Sequence, residues 1–308
     1  MNISKYFSLQ QMSEGVYAAI STPGTGSWAN AGIIDIGGQT IIFDTFATPS
    51  AAKDLRSAAE ELTGRKTSYV INSHEHIDHV HGNQVFSDAV IISTNQTRQQ
   101  IAVRQPNFIE MVKKNTHYLD QMRNEMKRET NLAKRQETET LLGEYTAITN
   151  GADHSSLTLP SMTFKEKMIF HGTRRSAELI TCGSCHSSSD SFLYLPEDRI
   201  LFLADLMHIG CHADFRQGDI DNWINSLDKI KLLDARVVVS GHGKVGTAED
   251  LTVMQNYLLD FKKLAYDCSQ KDGTMENIHE LDIPEAYKDY LVPSVFYSNL
   301  RFLLEKIA

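Results

Sequence analysis

Residues 72–83 read NSHEHIDHVHGN, which places four histidines and two acids in twelve positions. A histidine pair at i and i+2, here His74 and His76, points both rings to one side of an extended backbone. Asp78 and His79 follow at once and are free to turn toward a second point. Zinc takes imidazole nitrogen and carboxylate oxygen, usually with four ligands. Two ions about 3.5–4 Å apart share a bridging water or hydroxide. The run is therefore either a solvated polar loop or half of a metal site whose remaining ligands come from elsewhere in the chain, preferably from strand ends.

The flanking sequence is built to present such a loop. TSYVINS, directly before the run, reads as a strand, and so do GVYAAIS, AGIIDIGG, QTIIFDTF and AVIIST, which are rich in β-branched and aromatic residues between glycines. SAAKDLRSAAEELTG has Leu55, Ala58, Ala59 and Leu62 at helical spacing, with Gly64 as its stop. The second half repeats this grammar. SLTLPSMTF, KMIFHG, SAELITC, SFLYLP, RILFLADL and RVVVSGHG read as strands, and DIDNWINSLDKIKLLD as an amphipathic helix. TAEDLTVMQNYLLDFKKL reads as a helix opened by a capping box between Thr247 and Asp250. Strand, strand, helix, strand occurring twice predicts two similar halves whose sheets face each other, with helices outside.

Three metal-competent side chains stand at the C-terminal ends of second-half strands: His186 after SAELITC, Asp205 ending RILFLAD, and His242 between Gly241 and Gly243. Singly, each reads as well as a hydrogen-bonded loop residue or a turn cap. Jointly they supply what the histidine run lacks. Tyr118, Tyr145, His117, His208 and His212 are further polar residues available to line a pocket, with no spacing to choose among them.

Residues 107–142 have a different texture, with no Gly or Pro, and Pro106 reads as a helix start. Val112, Leu119, Met126 and Ala133 recur every seven positions, flanked by Ile109, Thr116 and Met122. One unbroken helix would be about 54 Å long, so two helices are expected. They read as a charged surface insertion, a lid over a pocket, or a homodimer contact.

Composition sets the frame: 308 residues, 41% hydrophobic and 22% charged, with a net charge of -9 that disfavours a nucleic-acid backbone as partner. The N-terminal residues show no apolar stretch behind a basic segment, and no run approaches the roughly 20 apolar residues of a membrane span. The expectation is a cytoplasmic protein with no membrane partner. Cys182, Cys185, Cys211 and Cys268 are too scattered for a disulfide scaffold. The CxxC of Cys182 and Cys185 has no second copy to complete a four-sulfur site, so packing is preferred over a redox or zinc-knuckle role.

HEHIDH resembles the HxHxDH signature of the metallo-β-lactamase superfamily. The resemblance extends to IIFDT with Asp44, to Gly82 and Asn83 after the run, to CHSSSDSFLYLPEDRILFLADL and to VVVSGHG. It implies an α/β fold, a four-layer αβ/βα sandwich of two mixed β-sheets with outer helices. Residues 1–308 then form a single domain interrupted by a helical insertion at about 97–150. It further implies one metal held by His74, His76 and His186 and a second by Asp78, His79 and His242, with Asp205 bridging. Asp44 and Asp190 would support ligand loops, and His81 falls where a proton shuttle or substrate contact is conceivable beside a plain loop role.

The resemblance implies a hydrolase with two Zn2+ (Fe or Mn as alternatives), in which a metal-bridging hydroxide attacks and Asp78 accepts its proton. Members that cleave β-lactams commonly carry Cys or Ser at the position of Asp205, and a diiron branch carries Glu at that of His76. Asp205 instead resembles the thioesterase, lactonase and phosphodiesterase branches, and His76 favours zinc chemistry; a lid at 107–142 favours a small, partly apolar substrate, so a small-molecule ester, lactone or thioester is expected. The alternatives are a phosphodiesterase or β-lactam hydrolase on the same core, a single-iron thiol oxidoreductase, and a non-catalytic metal-stabilised scaffold.

Overall fold

The computed structural model describes residues 4–115, 117–270 and 278–307; Thr116, one flank of the mid-chain stripe, lies outside them. Adjacent apolar residues on a strand project to opposite faces, so a strand such as Ile33-Ile34 or Val238-Val239 must be covered on both sides. The structure satisfies this with layers. Ile34, Ile41, Phe43 and Ile71 meet Leu193, Phe202 and Val239 between two sheets. Ile33, Ile42 and Val70 pack outward under one helix, and Leu201, Leu203 and Val238 under several.

The first sheet runs β1 (Phe7–Ser13), β2 (Val16–Ser21), β3 (Ala31–Asp35), β4 (Thr40–Phe43), β5 (Tyr69–Ile71), β6 (Val90–Thr94) and β7 (Met162–Phe164) in spatial order. It is antiparallel as far as β4 and parallel from there to β7. The second contains β8 (Lys167–His171), β9 (Ser176–Gly183), β10 (Asp190–Leu195), β11 (Ile200–Ile209), β12 (Val237–Gly243) and β13 (Gly246–Thr247). Its one parallel pair is β11 with β12. In each half an antiparallel meander therefore hands over, through a crossover helix, to a parallel strand. Sites in such sheets form at the carboxyl ends of strands.

Helix α1 (Pro49–Thr63) covers the outer face of the first sheet; Thr48 caps it by accepting from the Ala51 N–H, and Gly64 ends it in the left-handed region at φ 67°. The one-turn α2 (Ile77–Val80) lies within the histidine run. Helices α3 (Asn95–Lys114), α4 (His117–Arg128) and α5 (Leu132–Gly151) make the insertion. Helices α6 (Ile220–Lys231), α7 (Asp250–Ser269) and α8 (Pro293–Ile307) cover the outer face of the second sheet. The four-layer αβ/βα sandwich of two mixed sheets is thus present.

Several local expectations need correction. The insertion has three helices, not two, and Pro106 lies inside α3 rather than at its start. Thr94 at the end of β6 caps α3 by accepting from the Thr97 N–H at 3.0 Å, so the helix begins as the strand ends. Pro106 is exposed, where one missing N–H is tolerated. Helix α7 begins at Asp250, and only the return half of its capping box forms, from the Thr247 N–H to Asp250 Oδ2 at 2.7 Å. Strand β1 and helix α8 are additional elements.

The insertion docks on its own chain. Val112, Ile148 and Ala152 pack on Ala47, and the buried Glu144 carboxylate accepts from the N–H groups of Gly24 at 2.6 Å and Gly26 at 2.7 Å. A side chain on Gly143 would place its Cβ 2.3 Å from the Gly24 carbonyl, so α5 touches the β2–β3 loop backbone to backbone. That loop continues to Asn30, whose amide donates to the carbonyls of Ser240 at 2.9 Å and Gly243 at 3.0 Å beside His242. Replacing Glu144 with Ala leaves two amides unpaired and is expected to cost about 1–3 kcal/mol, measurable as a lower denaturation midpoint in urea.

Candidate metal centre

The ends of the histidine run are tied before its middle is placed. Asn72 Nδ2 donates to Asn83 Oδ1 at 2.9 Å and Asn83 Nδ2 to Asn72 Oδ1 at 2.8 Å, so the first and last residues of NSHEHIDHVHGN close on each other. Gly82 fits only as glycine, since a Cβ there would lie 2.0 Å from the Thr45 carbonyl. Within this clasp His76 precedes α2, and Asp78 and His79 lie on its turn.

The second half brings its three residues to the same place by different means. His186 sits in the β9–β10 turn, which Asp190 holds by accepting from the N–H groups of Cys185 and Ser187, both at 2.9 Å, and from Ser187 Oγ at 2.8 Å. Asp205 lies on β11, where the register with β12 shifts around Ala204. Ala204 takes φ 45°, a left-handed conformation that costs a residue with a Cβ roughly 1–2 kcal/mol. A Cβ on Gly241 would lie 2.1 Å from Asp205 Oδ1, so the neighbouring strand leaves room for that carboxylate and for nothing more.

Seven side chains converge in two groups. Ligand atoms of His74, His76, His186 and Asp205 lie within 4.8 Å of one another, and so do those of Asp78, His79 and His242. Asp205 faces both: Oδ2 is 3.7 Å from His74 Nε2 and 3.2 Å from His186 Nε2. Its Oδ1 is 3.1 Å from His79 Nε2 and 3.4 Å from His242 Nε2. Among the described residues no cysteine joins either group, and Cys182 and Cys185 are free thiols.

The far nitrogens of the rings decide which near nitrogens carry lone pairs. His79 Nδ1 pairs with Asp44 Oδ2 at 2.8 Å. Ser73 Oγ donates to Asp44 Oδ2 at 2.8 Å and so accepts from His74 Nδ1 at 2.9 Å. His186 Nδ1 donates to the Asp214 carbonyl at 2.6 Å. Each leaves an Nε2 lone pair aimed inward. His76 is reversed: Nε2 donates to Gln217 Oε1 at 3.1 Å, and Nδ1 faces His186 Nε2 at 3.0 Å. His74 Nε2, His79 Nε2 and Asp205 Oδ1 are buried with no hydrogen-bond partner. Buried donors and acceptors in that condition call for a positive charge among them, and imidazole with carboxylate is the donor set that zinc takes. A cation pair fits these residues.

In the bare protein, protons supply that charge. Burial opposes the charged form of His186, but Asp205 outweighs it and pushes the imidazole up to about 9. Burial likewise opposes ionisation of Asp205, yet His242, His79 and His186 hold it well below the usual carboxylate range. Asp78, raised by burial and lowered more by His79 and His242, falls to about 2. His208, named in the sequence only among undifferentiated polar residues, is a sixth imidazole at the site. It stacks on His242 with centroids 5.1 Å apart; burial, helped by His242, His186 and His79, outweighs the pull of Asp205 and lowers it to about 3.

Other expected residues lie elsewhere. His81 is fully buried, with Nδ1 on the Ala47 carbonyl at 2.6 Å and Nε2 on Ser155 Oγ, so it ties loops together and does not reach a substrate. His212 is buried against Tyr257, and His117 is exposed on α4. Tyr118 and Tyr145 join Trp28 and Phe108 in an aromatic cluster of the insertion. Sequence reading missed Ser73, Asp214 and Gln217, the acceptors that fix the rings; a backbone carbonyl and a lone Gln in a polar loop give no signal.

A family model described as the metallo-beta-lactamase superfamily matches residues 25–94 and 169–242, on either side of the insertion. Over those two stretches, which carry all seven candidate ligands, the chain matches the metallo-β-lactamase superfamily. Most members of the metallo-β-lactamase superfamily are metal-dependent hydrolases. Among solved structures, a metallo-β-lactamase from Pontibacter korlensis superposes with a TM-score of 0.59 at 15% identity, covering 82% of this chain and 99% of its own. The DIM-1 metallo-β-lactamase superposes with a TM-score of 0.56 at 15% identity, covering 82% of this chain and 97% of its own. These likenesses establish the metallo-β-lactamase fold. Among curated proteins none matches. Among the described residues no helix is long and apolar enough to cross a membrane.

Because a bound cation must displace the His186 proton below about pH 9, metal binding should release protons and tighten as pH rises. Zinc titrations at pH 6 and pH 8 are expected to show the stronger binding at pH 8, with proton release visible in buffers of different ionisation enthalpy. Equal affinity at both would contradict the protonation scheme.

Proposed function

We propose that the chain is a dinuclear zinc-dependent hydrolase acting on a small-molecule ester, lactone or thioester. The observation that carries the reading is the shared carboxylate of Asp205, with one oxygen turned to each group of donors. Bound between those groups, a zinc pair would supply a water acidified to a pKa of about 7 and a Lewis acid for a carbonyl oxygen. His74, His76 and His186 would hold one ion, and Asp78, His79 and His242 the other.

The protein's own part is orientation. Asp78, at about 2, stays ionised across the working range. It therefore suits an acceptor that aligns the attacking group better than a base that stores its proton. Asp44, through His79 and Ser73, and Asp190, through the His186 turn, keep the ligand loops in register. Water adds across the acyl bond: a new carbon–oxygen bond forms, the carbon–oxygen or carbon–sulfur bond breaks, and the proton leaves with the alcohol or thiol.

The deciding experiment pairs elemental analysis of protein purified without added metal with a panel of lactones, thioesters, β-lactams and phosphodiesters. Two zinc per chain and turnover on an acyl ester class are expected, and turnover confined to phosphodiesters or β-lactams would move the substrate assignment. Asp205→Ala and His76→Ala are expected to lose turnover by a factor of about 1,000 or more, the several kcal/mol such a site contributes. One iron or no metal, with no hydrolysis, would sink the reading.

A further inference from the structure

We propose that Arg104, on the inserted helix α3, is a positioning residue for the metal centre: it holds the Gln217 amide so that His76 presents a lone pair rather than a proton to the His74–His76–His186 group. The inference rests on reading those histidines as ligands.

The argument begins with an amide that has two orientations. With Oε1 toward His76, Gln217 accepts from Nε2–H, as at 3.1 Å here, and Nδ1 keeps its lone pair beside His186 Nε2 at 3.0 Å. With the amide turned over, its NH2 group would donate to Nε2 and shift the ring proton to Nδ1, aimed at the other donors. The two orientations are nearly isosteric, and Gln217 lies exposed in the loop before α6, so packing does not choose between them.

Arg104 chooses. Its Nη1 donates to the same Oε1 that His76 uses. An amide turned over would bring NH2 against the guanidinium, donor against donor. Arg104 is itself held on two sides, by Glu75 Oε1 at 3.7 Å and Gln100 Oε1 at 3.4 Å. Glu75 is the acid between His74 and His76; its side chain is fully buried, and Ser188 Oγ donates to it at 3.0 Å from the His186 turn. The loop that carries Gln217 also carries the Asp214 carbonyl that fixes His186. It is pressed onto the His186 turn at Gly218, where a Cβ would lie 1.9 Å from the Cys185 carbonyl. One loop thus sets two rings of one group, and the pin that locks it comes from the segment outside the family match.

The test is cation affinity of the metal-free full chain, read by competition with a chromophoric chelator for Zn2+ and by the visible spectrum of bound Co2+. Arg104→Ala and Gln217→Ala should each weaken the tighter step by about 10-fold, the lower end of what such supporting bonds are worth. The double variant should be no weaker than either single one, because both break the same link. Gln217→Glu, with two acceptor oxygens and no NH2 to misplace, should retain or exceed wild-type affinity. Gln217 is exposed, so its variants keep the fold even where an Arg104 substitution disturbs α3. Affinities within twofold of wild type for both alanine variants, or fully additive losses, overturn the proposal while leaving the ligand reading standing. A wild-type chain that binds neither ion overturns both.

Discussion

A carboxylate buried among imidazoles is the constraint around which this molecule is arranged. Asp205 is 4% exposed and has histidine nitrogens near both oxygens, at 3.1 Å on one side and 3.2 Å on the other. An unpaired charge in that position would cost several kcal/mol, and two like charges facing each other more. The cluster therefore exists only with positive charge shared among its donors, whether protons or cations. The fold meets that condition at a local cost: Ala204 is held at φ 45° and Asp44 at φ 62°, conformations that persist only where the surroundings over-determine them.

The layered architecture explains why the donors can meet at all. His74, His76, Asp78 and His79 follow β5 of the first sheet, whereas His186, Asp205 and His242 belong to the second. Neither sheet offers a complete set, and the two are joined face to face by apolar contacts such as Phe43 on Phe202. A cation held between the groups would therefore tie the sheets together as well as fill a site, coupling metal binding to the packing of the interior. Asn30 already makes a polar tie of the same kind, from the β2–β3 loop to the carbonyls around His242.

What the sequence disclosed and what it hid follow from the range of the interactions involved. Strands carried by β-branched pairs, the helix stopped by Gly64 and the metal-competent residues at strand ends are local patterns, and the structure brings those seven residues together. The insertion was harder because its signal was mixed. Pro106 resembles a helix start in isolation, but the Thr94 cap that begins α3 eleven residues earlier also ends a strand, and a single residue serving both elements shows as neither. The role of His81 could not be read from spacing either. It shares a motif with four candidate ligands, yet its ring turns away to Ala47 and Ser155, a matter of side-chain direction that only the folded loop decides.

The insertion is also bonded toward the site by two polar links. Glu144 on α5 grips the β2–β3 loop, which is bonded onward to the backbone around His242. Arg104 on α3 grips Gln217, which is bonded onward to His76. Helix α3 thus reaches the His76 ring and α5 the backbone on either side of His242, each through intermediate residues rather than by contact. Closing over a pocket would need only shape, and a hydrophobic stripe would serve. Two polar links of this kind instead fix orientation, and they make the insertion a part of how the two sheets present their donors.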